Sequence, residues 1–109
     1  MKKQNVLIID DSANMRWIIR NCLQDLPGLV FFEAGDGEAG ETVLQERAFE
    51  NDPIDLVVLD WHMPKMTGFE FLQALRGSVV FAKEPAVVML TAETYPEQIQ
   101  ACLAYGVSA

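Results

Sequence analysis

Four short apolar runs alternate with amphipathic stretches along the chain, and this alternation restricts the fold more than any other feature. The predicted strands lie near residues 5–9, 29–32, 54–59 and 86–90. The stretches between them place apolar residues three and four positions apart, which is the spacing of a helix with one buried face. The third run is nearly all apolar, which is typical of a strand covered on both faces. The sequence therefore predicts an α/β domain built on a parallel sheet.

Capping residues indicate where the predicted helices begin. Asp36 is the predicted N-cap of the second helix, and Thr67 and Glu70 have the spacing of a capping box for the third. Thr94 and Glu97 repeat that spacing and predict a fourth helix. The residues predicted to face inward on the second helix are Ala39, Val43, Leu44 and Ala48.

The composition indicates one globular domain. The 109 residues are 50% hydrophobic and 22% charged, which provides enough apolar side chains for a core. The formal net charge of −8 disfavours nucleic acids and anionic membranes, which attract lysine and arginine. No apolar run approaches the roughly 20 residues that a membrane span needs. We expect a single cytoplasmic domain over residues 1–109, with no nucleic-acid or membrane partner.

Acidic residues follow the ends of two predicted strands. Asp10 and Asp11 come after the first strand and Asp60 after the third, while the hydroxyl of Thr91 follows the fourth. Because parallel strands present their carboxyl ends at one edge of a sheet, these side chains should converge. Clustered carboxylates repel one another unless a cation or a proton neutralises them. Mg²⁺ suits such a site, since it takes one or two carboxylates and shares its other positions with water and phosphate.

A purely structural interpretation is that strand-end aspartates cap the helices that follow them. Asp11 could do so before Ser12, but capping does not account for a doubled aspartate. Nor does it account for Asp60, which precedes a loop containing Pro64. The convergence of carboxylates therefore favours a functional site.

Three motifs resemble those of the receiver domain of bacterial two-component response regulators, most closely the single-domain chemotaxis (CheY-like) type. They are Asp-Asp-Ser at 10–12, Asp-Trp-His-Met-Pro-Lys-Met-Thr-Gly at 60–68 and Leu-Thr-Ala at 90–92. Each motif alone is weakly specific, but their order and their places at strand ends are highly specific. The resemblance implies a flavodoxin-like, doubly wound parallel sheet with strand order 2-1-3-4.

The resemblance also implies a role for each site residue. Asp60 would be the phosphoacceptor, and Asp10 and Asp11 would hold Mg²⁺ together with Asp60 and the main-chain carbonyl of His62. Thr91 would be the switch hydroxyl, which reorganises the surface that partners contact. The partners implied are a histidine kinase as phosphodonor and a downstream target protein, which would be a flagellar motor component if the chemotaxis likeness holds. Such a chain accepts a phosphoryl group and is not an enzyme beyond its own phosphorylation and dephosphorylation.

The sequence departs from the family pattern after the fourth strand. The family's fifth strand with its terminal lysine, and the last helix, have no counterpart before the sequence stops two residues after Val107. Lys65 is a geometrically conceivable but poor substitute for that lysine. We therefore expect a C-terminally truncated receiver domain that lacks the fifth β-α unit. We also expect homo-oligomers through the open edge of the strand at 86–90, because uncovered edges recruit other chains.

The sequence leaves two other functions open. The first is a pseudo-receiver or fragment that cannot be phosphorylated and acts through association. The second is an aspartyl-phosphate phosphatase, which also uses a strand-end aspartate and Mg²⁺. That class carries a second aspartate two residues after its nucleophile, where this chain has Ser12 or Ala13, so the enzyme is disfavoured.

Overall fold

The computed structural model, which describes residues 3–61, 63 and 65–90, contains alternating strands and helices in that part of the chain. In chain order they are β1 (Gln4–Ile9), α1 (Ala13–Leu23), β2 (Leu29–Ala34), α2 (Gly37–Phe49), β3 (Leu56–Asp60), α3 (Gly68–Gly77) and β4 (Ala86–Leu90). The predicted β-α alternation is confirmed. The predicted fourth helix, with its capping box at Thr94 and Glu97, lies outside the described residues.

The strands form one parallel sheet in the order β2-β1-β3-β4, as the resemblance implied. In the register, Ile9 of β1 pairs with Ala34 of β2 on one side and with Leu59 of β3 on the other. The carboxyl ends of the three strands are therefore level. β1 and β3 lie in the interior of this sheet and are buried along most of their length. In the described part of the chain β4 is an outer strand of the sheet. Its predicted open edge and association through that edge also depend on residues 91–109, which lie outside the described residues, and stay predictions.

Two apolar layers cover the sheet, because successive side chains of a strand point to opposite faces. Leu7 and Ile9 of β1 pack on the side of α2 and α3, whereas Val6 and Ile8 pack on the side of α1. The first layer also contains Leu44, Val57, Leu59, Met63, Phe71, Leu75 and Val87. The second also contains Ile19, Leu23, Leu56, Val58 and Val88. The sheet is therefore covered on both faces, which explains why β3 lacks polar alternation.

The predicted caps of α2 and α3 are confirmed. The Asp36 carboxylate accepts a hydrogen bond from the Ala39 amide at 2.7 Å. The Thr67 hydroxyl accepts one from the Glu70 amide at 3.1 Å, and the Glu70 carboxylate accepts the Thr67 amide in return at 3.2 Å. These bonds satisfy amides that have no partner inside their helix, which fixes the starting points of α2 and α3.

The prediction that Ala39 faces inward is wrong, because Ala39 is exposed and Gly40 takes the buried position. A side chain on Gly40 would place its Cβ 2.5 Å from Cδ1 of Ile9. The helix therefore packs so closely on β1 that this contact position has no room for a side chain. Leu44 is buried, and Val43 and Ala48 are partly buried, as predicted.

The third strand also differs from its predicted bounds. It begins at Leu56 instead of Ile54, and it ends at Asp60 instead of the residue before it. Asp60 belongs to the strand because it pairs with Leu90 of β4. Among the described helices, none is both long enough and apolar enough to cross a membrane.

Candidate functional site

Three carboxylates converge at the carboxyl ends of β1 and β3. Asp10 and Asp11 follow the last residue of β1, and Asp60 is the last residue of β3. One oxygen from each of the three side chains lies within 4.8 Å of the others. The cause is the register, which pairs Ile9 with Leu59 and thus places Asp10 level with Asp60. The predicted convergence of these three residues is confirmed.

Asp10 is the most buried member of the cluster, with 5% of its surface exposed. Burial raises the pKa of this carboxyl group above 3.8, and the charges of Asp60 and Asp11 raise it further. The Ser12 amide, which donates to Asp10 Oδ1 at 2.9 Å, acts in the opposite direction on this pKa. Ionised Asp10 is therefore disfavoured by its surroundings, and a cation between the three carboxylates would relieve that cost.

Asp11 does not cap α1. The N-cap is Ser12, whose hydroxyl accepts a hydrogen bond from the Met15 amide at 3.1 Å. Asp11 itself is exposed. Its carboxylate is therefore available to a ligand at the cluster, and the capping interpretation fails for this residue.

The loop after Asp60 packs closely against the beginning of α3. The Gly68 amide donates to the Trp61 carbonyl oxygen at 3.0 Å. A Cβ on Gly68 would collide with the main-chain oxygen of Asp60 and lie 3.1 Å from the Trp61 Cα. Only glycine fits this approach without a backbone shift. Met63 in the same loop is buried in the layer beside α2 and α3.

The cluster suits a hard divalent cation. Carboxylate oxygens are the ligands that Mg²⁺ prefers, and three of them lie close enough here to share one ion. The raised pKa of Asp10 is consistent with a site that gains from a positive charge. Within residues 3–61, 63 and 65–90, no other group of at least three histidine, cysteine or acidic side chains is arranged in this way.

Three further predicted residues do not join this cluster in the described structure. His62 and Thr91 lie outside the described residues, so the ligand and switch roles that the resemblance implies for them stay predictions. Lys65 is exposed, has a positive φ of 71°, and forms no ion pair with any described side chain. The idea that it replaces the family lysine gains no support.

Sequence reasoning assigned no role to two residues that shape the site, Arg16 and Gly68. Arg16 Nη1 donates to the main-chain oxygen of Asp10 at 2.6 Å. An arginine in the first turns of the helix that follows an acidic loop was the available signal. For Gly68 the signal was its place as the last residue of the motif at 60–68, directly after the capping Thr67.

Comparison with known proteins agrees with this geometry. The sequence profile of the response regulator receiver domain matches residues 6–109. The chain is 39% identical to the chemotaxis protein CheY of Pseudomonas aeruginosa over 103 residues, which are 94% of this chain and 78% of that protein. It is 37% identical to CheY-3 of Vibrio cholerae over 107 residues, which are 98% of this chain and 78% of that protein.

Solved structures give the same result. The fold is similar to that of chemotaxis protein CheY4 of Vibrio cholerae, with a TM-score of 0.67 and 34% identity, covering 97% of this chain and 82% of that one. A CheY-like receiver domain from Methanospirillum hungatei has a TM-score of 0.77 at 20% identity, covering 95% of this chain and 94% of that one. This second likeness concerns the fold alone.

Proposed function

Because the chain belongs to the response regulator receiver domain family, we propose that it is a Mg²⁺-dependent phosphoacceptor that is phosphorylated on Asp60. The observation that carries the proposal is the cluster of three carboxylates within 4.8 Å at the ends of β1 and β3. A site of this kind can bind a cation and present one carboxylate to a phosphoryl donor.

In the proposed reaction, a carboxylate oxygen of Asp60 attacks the phosphorus of a phosphohistidine on a kinase. The new P–O bond gives an acyl phosphate, while the P–N bond breaks and its electron pair stays on the imidazole nitrogen. The partly exposed position of Asp60 supports direct attack by a donor. Since the chain receives the phosphoryl group and does not turn over a substrate, we propose that it is not an enzyme in the ordinary sense.

Asp10, Asp11 and Asp60 would hold the cation, with the His62 carbonyl as a further ligand implied by the family. Bound Mg²⁺ would neutralise the charge that develops on the transferring group. The Ser12 amide holds one carboxylate oxygen of Asp10 in place for this task. Asp11 reaches the same site from the exposed side.

The output of the proposed reaction is a changed surface for a partner. Thr91 would respond to the phosphoryl group, and a downstream target protein would bind the altered surface. The likeness to chemotaxis proteins supports a target in flagellar motor control. The source of the phosphoryl group would be a cytoplasmic histidine kinase.

Intact-mass spectrometry after incubation with Mg²⁺ and a small acyl-phosphate donor tests the proposal. We expect wild type to gain one phosphoryl group, and we expect Asp60→Asn, or wild type without Mg²⁺, to gain none. Asp25→Asn is the matched control, because Asp25 is exposed and follows α1, outside the carboxylate cluster. It should gain the group as wild type does.

Two results would contradict the proposal. A folded wild type that gains no mass would favour the pseudo-receiver, which acts through association. Equal gain by wild type and Asp60→Asn would place the acceptor at another residue.

A further inference from the structure

The main chain of Asp10 is held on both sides after β1 has ended. Its amide donates to the Ala34 carbonyl oxygen at 3.1 Å, which extends the contact with β2 by one residue. Its carbonyl oxygen accepts from Arg16 Nη1 at 2.6 Å. Inside the sheet, the main chain of a neighbouring strand would donate to such a carbonyl oxygen. Here the Arg16 side chain donates to it instead. Both bonds act on the residue that carries the buried carboxylate of the cluster.

Arg16 is itself fixed by a second contact. Its Nε donates to Glu33 Oε1 of β2 at 3.0 Å, and its side chain is only 19% exposed. The other oxygen of Glu33 pairs with Arg20 Nη1 at 3.1 Å. Arg16 thus uses two nitrogens of one planar group to join the loop after β1 to the neighbouring strand. Lysine carries its three N–H donors on one nitrogen, so it lacks the planar, two-nitrogen geometry of this contact.

We infer that Arg16 is a positioning residue that holds the Asp10-Asp11 segment so that their carboxylates and that of Asp60 share one divalent cation. The inference rests on the proposed function, because it assigns Arg16 a role in cation binding at that site. The loop needs such support because three like charges within 4.8 Å repel one another and would move an unrestrained loop away from Asp60. Arg16 opposes this motion through the Asp10 main chain, and Glu33 anchors Arg16.

The direct test is Mg²⁺ affinity measured by calorimetry. Removing a residue that supports a metal ligand typically weakens binding 10- to 100-fold, so we expect Arg16→Gln to raise Kd by about tenfold. Arg16→Lys should also bind more weakly than wild type. The Kd of Glu33→Gln for Mg²⁺ should lie between those of Arg16→Gln and wild type, because an amide still accepts one hydrogen bond. Arg20→Gln is the matched control, since Arg20 contacts the same glutamate but makes no described hydrogen bond to Asp10.

Amide hydrogen exchange without metal separates positioning from general stability. In Arg16→Gln we expect the Ser12 amide, which donates to Asp10, to exchange about tenfold faster, while the Val57 amide in β3 keeps its rate. A general loss of stability would speed up both.

The outcomes distinguish this inference from the proposed function. If wild type binds no Mg²⁺, the proposed function fails, and the exchange at Ser12 alone decides whether Arg16 positions the loop. If wild type binds Mg²⁺ and Arg16→Gln binds within twofold of it, the inference is overturned while the proposed function stands. Equal weakening by Arg20→Gln would also overturn it, because the effect would then belong to the surface charge.

Discussion

At the residue scale, the Asp10 carboxyl group is the most constrained member of the site. Burial and two neighbouring carboxylates raise its pKa, and one hydrogen bond from the Ser12 amide opposes that effect. A carboxyl group whose pKa is higher in the folded than in the unfolded state stabilises the fold only while it is protonated. That contribution is complete below 3.8 and is lost as the pH rises through the folded-state pKa. Above the folded-state pKa, the ionised group therefore lowers stability relative to its protonated form.

The first prediction concerns Asp10→Asn without metal. The amide keeps the shape of the side chain and the acceptor for Ser12, but it removes a buried charge from the cluster. We expect the free energy of unfolding at neutral pH to rise by about 1 kcal/mol, as measured by urea denaturation. An unchanged or lower value would show that repulsion within the cluster costs the fold nothing.

With Mg²⁺ bound, we expect wild type to be more stable than Asp10→Asn. A ligand that binds only the folded state stabilises it by about 2.7 kcal/mol at about 100 times its Kd. Wild type should gain such stability from Mg²⁺, and Asp10→Asn should gain little because it loses a ligand. Asp25→Asn, with its exposed side chain, should respond as wild type does.

At the element scale, α3 begins directly after the loop that follows Asp60. Its capping box fixes the start of the helix at Thr67, and Gly68 then packs against the main chain of Asp60. At the other end of the helix, a Cβ on Gly77 would meet nothing within 4 Å. The two glycines of one helix therefore differ in what surrounds them, and this difference can be measured.

The second prediction compares Gly68→Ala with Gly77→Ala. A methyl group at Gly68 forces the backbone at Asp60 to shift, and we expect the free energy of unfolding to fall by about 2 kcal/mol. The same shift should slow phosphorylation of Asp60. Gly77→Ala should be neutral or stabilising, by at most about 1 kcal/mol, because alanine favours the helix. Similar values for the two variants in urea denaturation would contradict the packing argument.

At the scale of the whole molecule, a polar cluster lies at the end of the sheet opposite the carboxylate cluster. The Asp52 carboxylate binds Lys3 Nζ at 2.9 Å and Asn5 Nδ2 at 2.9 Å, and Arg47 of α2 lies 3.4 Å away. The hydrogen bond from Lys3, followed by that from Asn5, lowers the pKa of Asp52 below 3.8. This cluster links the beginning of β1, the end of α2 and the loop before β3.

The third prediction concerns stability at acid pH. A carboxyl group with a lowered pKa contributes its stability above the unfolded value of 3.8 and loses it as the pH falls through the lower, folded-state pKa. We therefore expect Asp52→Asn to be less stable than wild type at neutral pH, and we expect this difference to shrink as the pH falls below 3.8. Urea denaturation at neutral pH and at several pH values below 3.8 measures this. A difference that stays constant with pH, or that Asp25→Asn reproduces, would argue against it.

The strands, the caps and the carboxylate cluster could be predicted because their signals are local. Apolar runs and capping residues depend on neighbours within a few positions, and the rule that parallel strands end at one edge then brought Asp10, Asp11 and Asp60 together. The family resemblance supplied the strand order, which no local pattern contains.

Only the tertiary structure decided the contacts that depend on distances between elements. Gly40 faces the core in place of Ala39, and at that position α2 lies too close to Ile9 for a side chain to fit without a shift. Arg16 donates to Asp10 while Glu33 of the neighbouring strand accepts from its other nitrogen. These details follow from how closely packed surfaces fit, and that fit arises only when residues distant in the sequence come together.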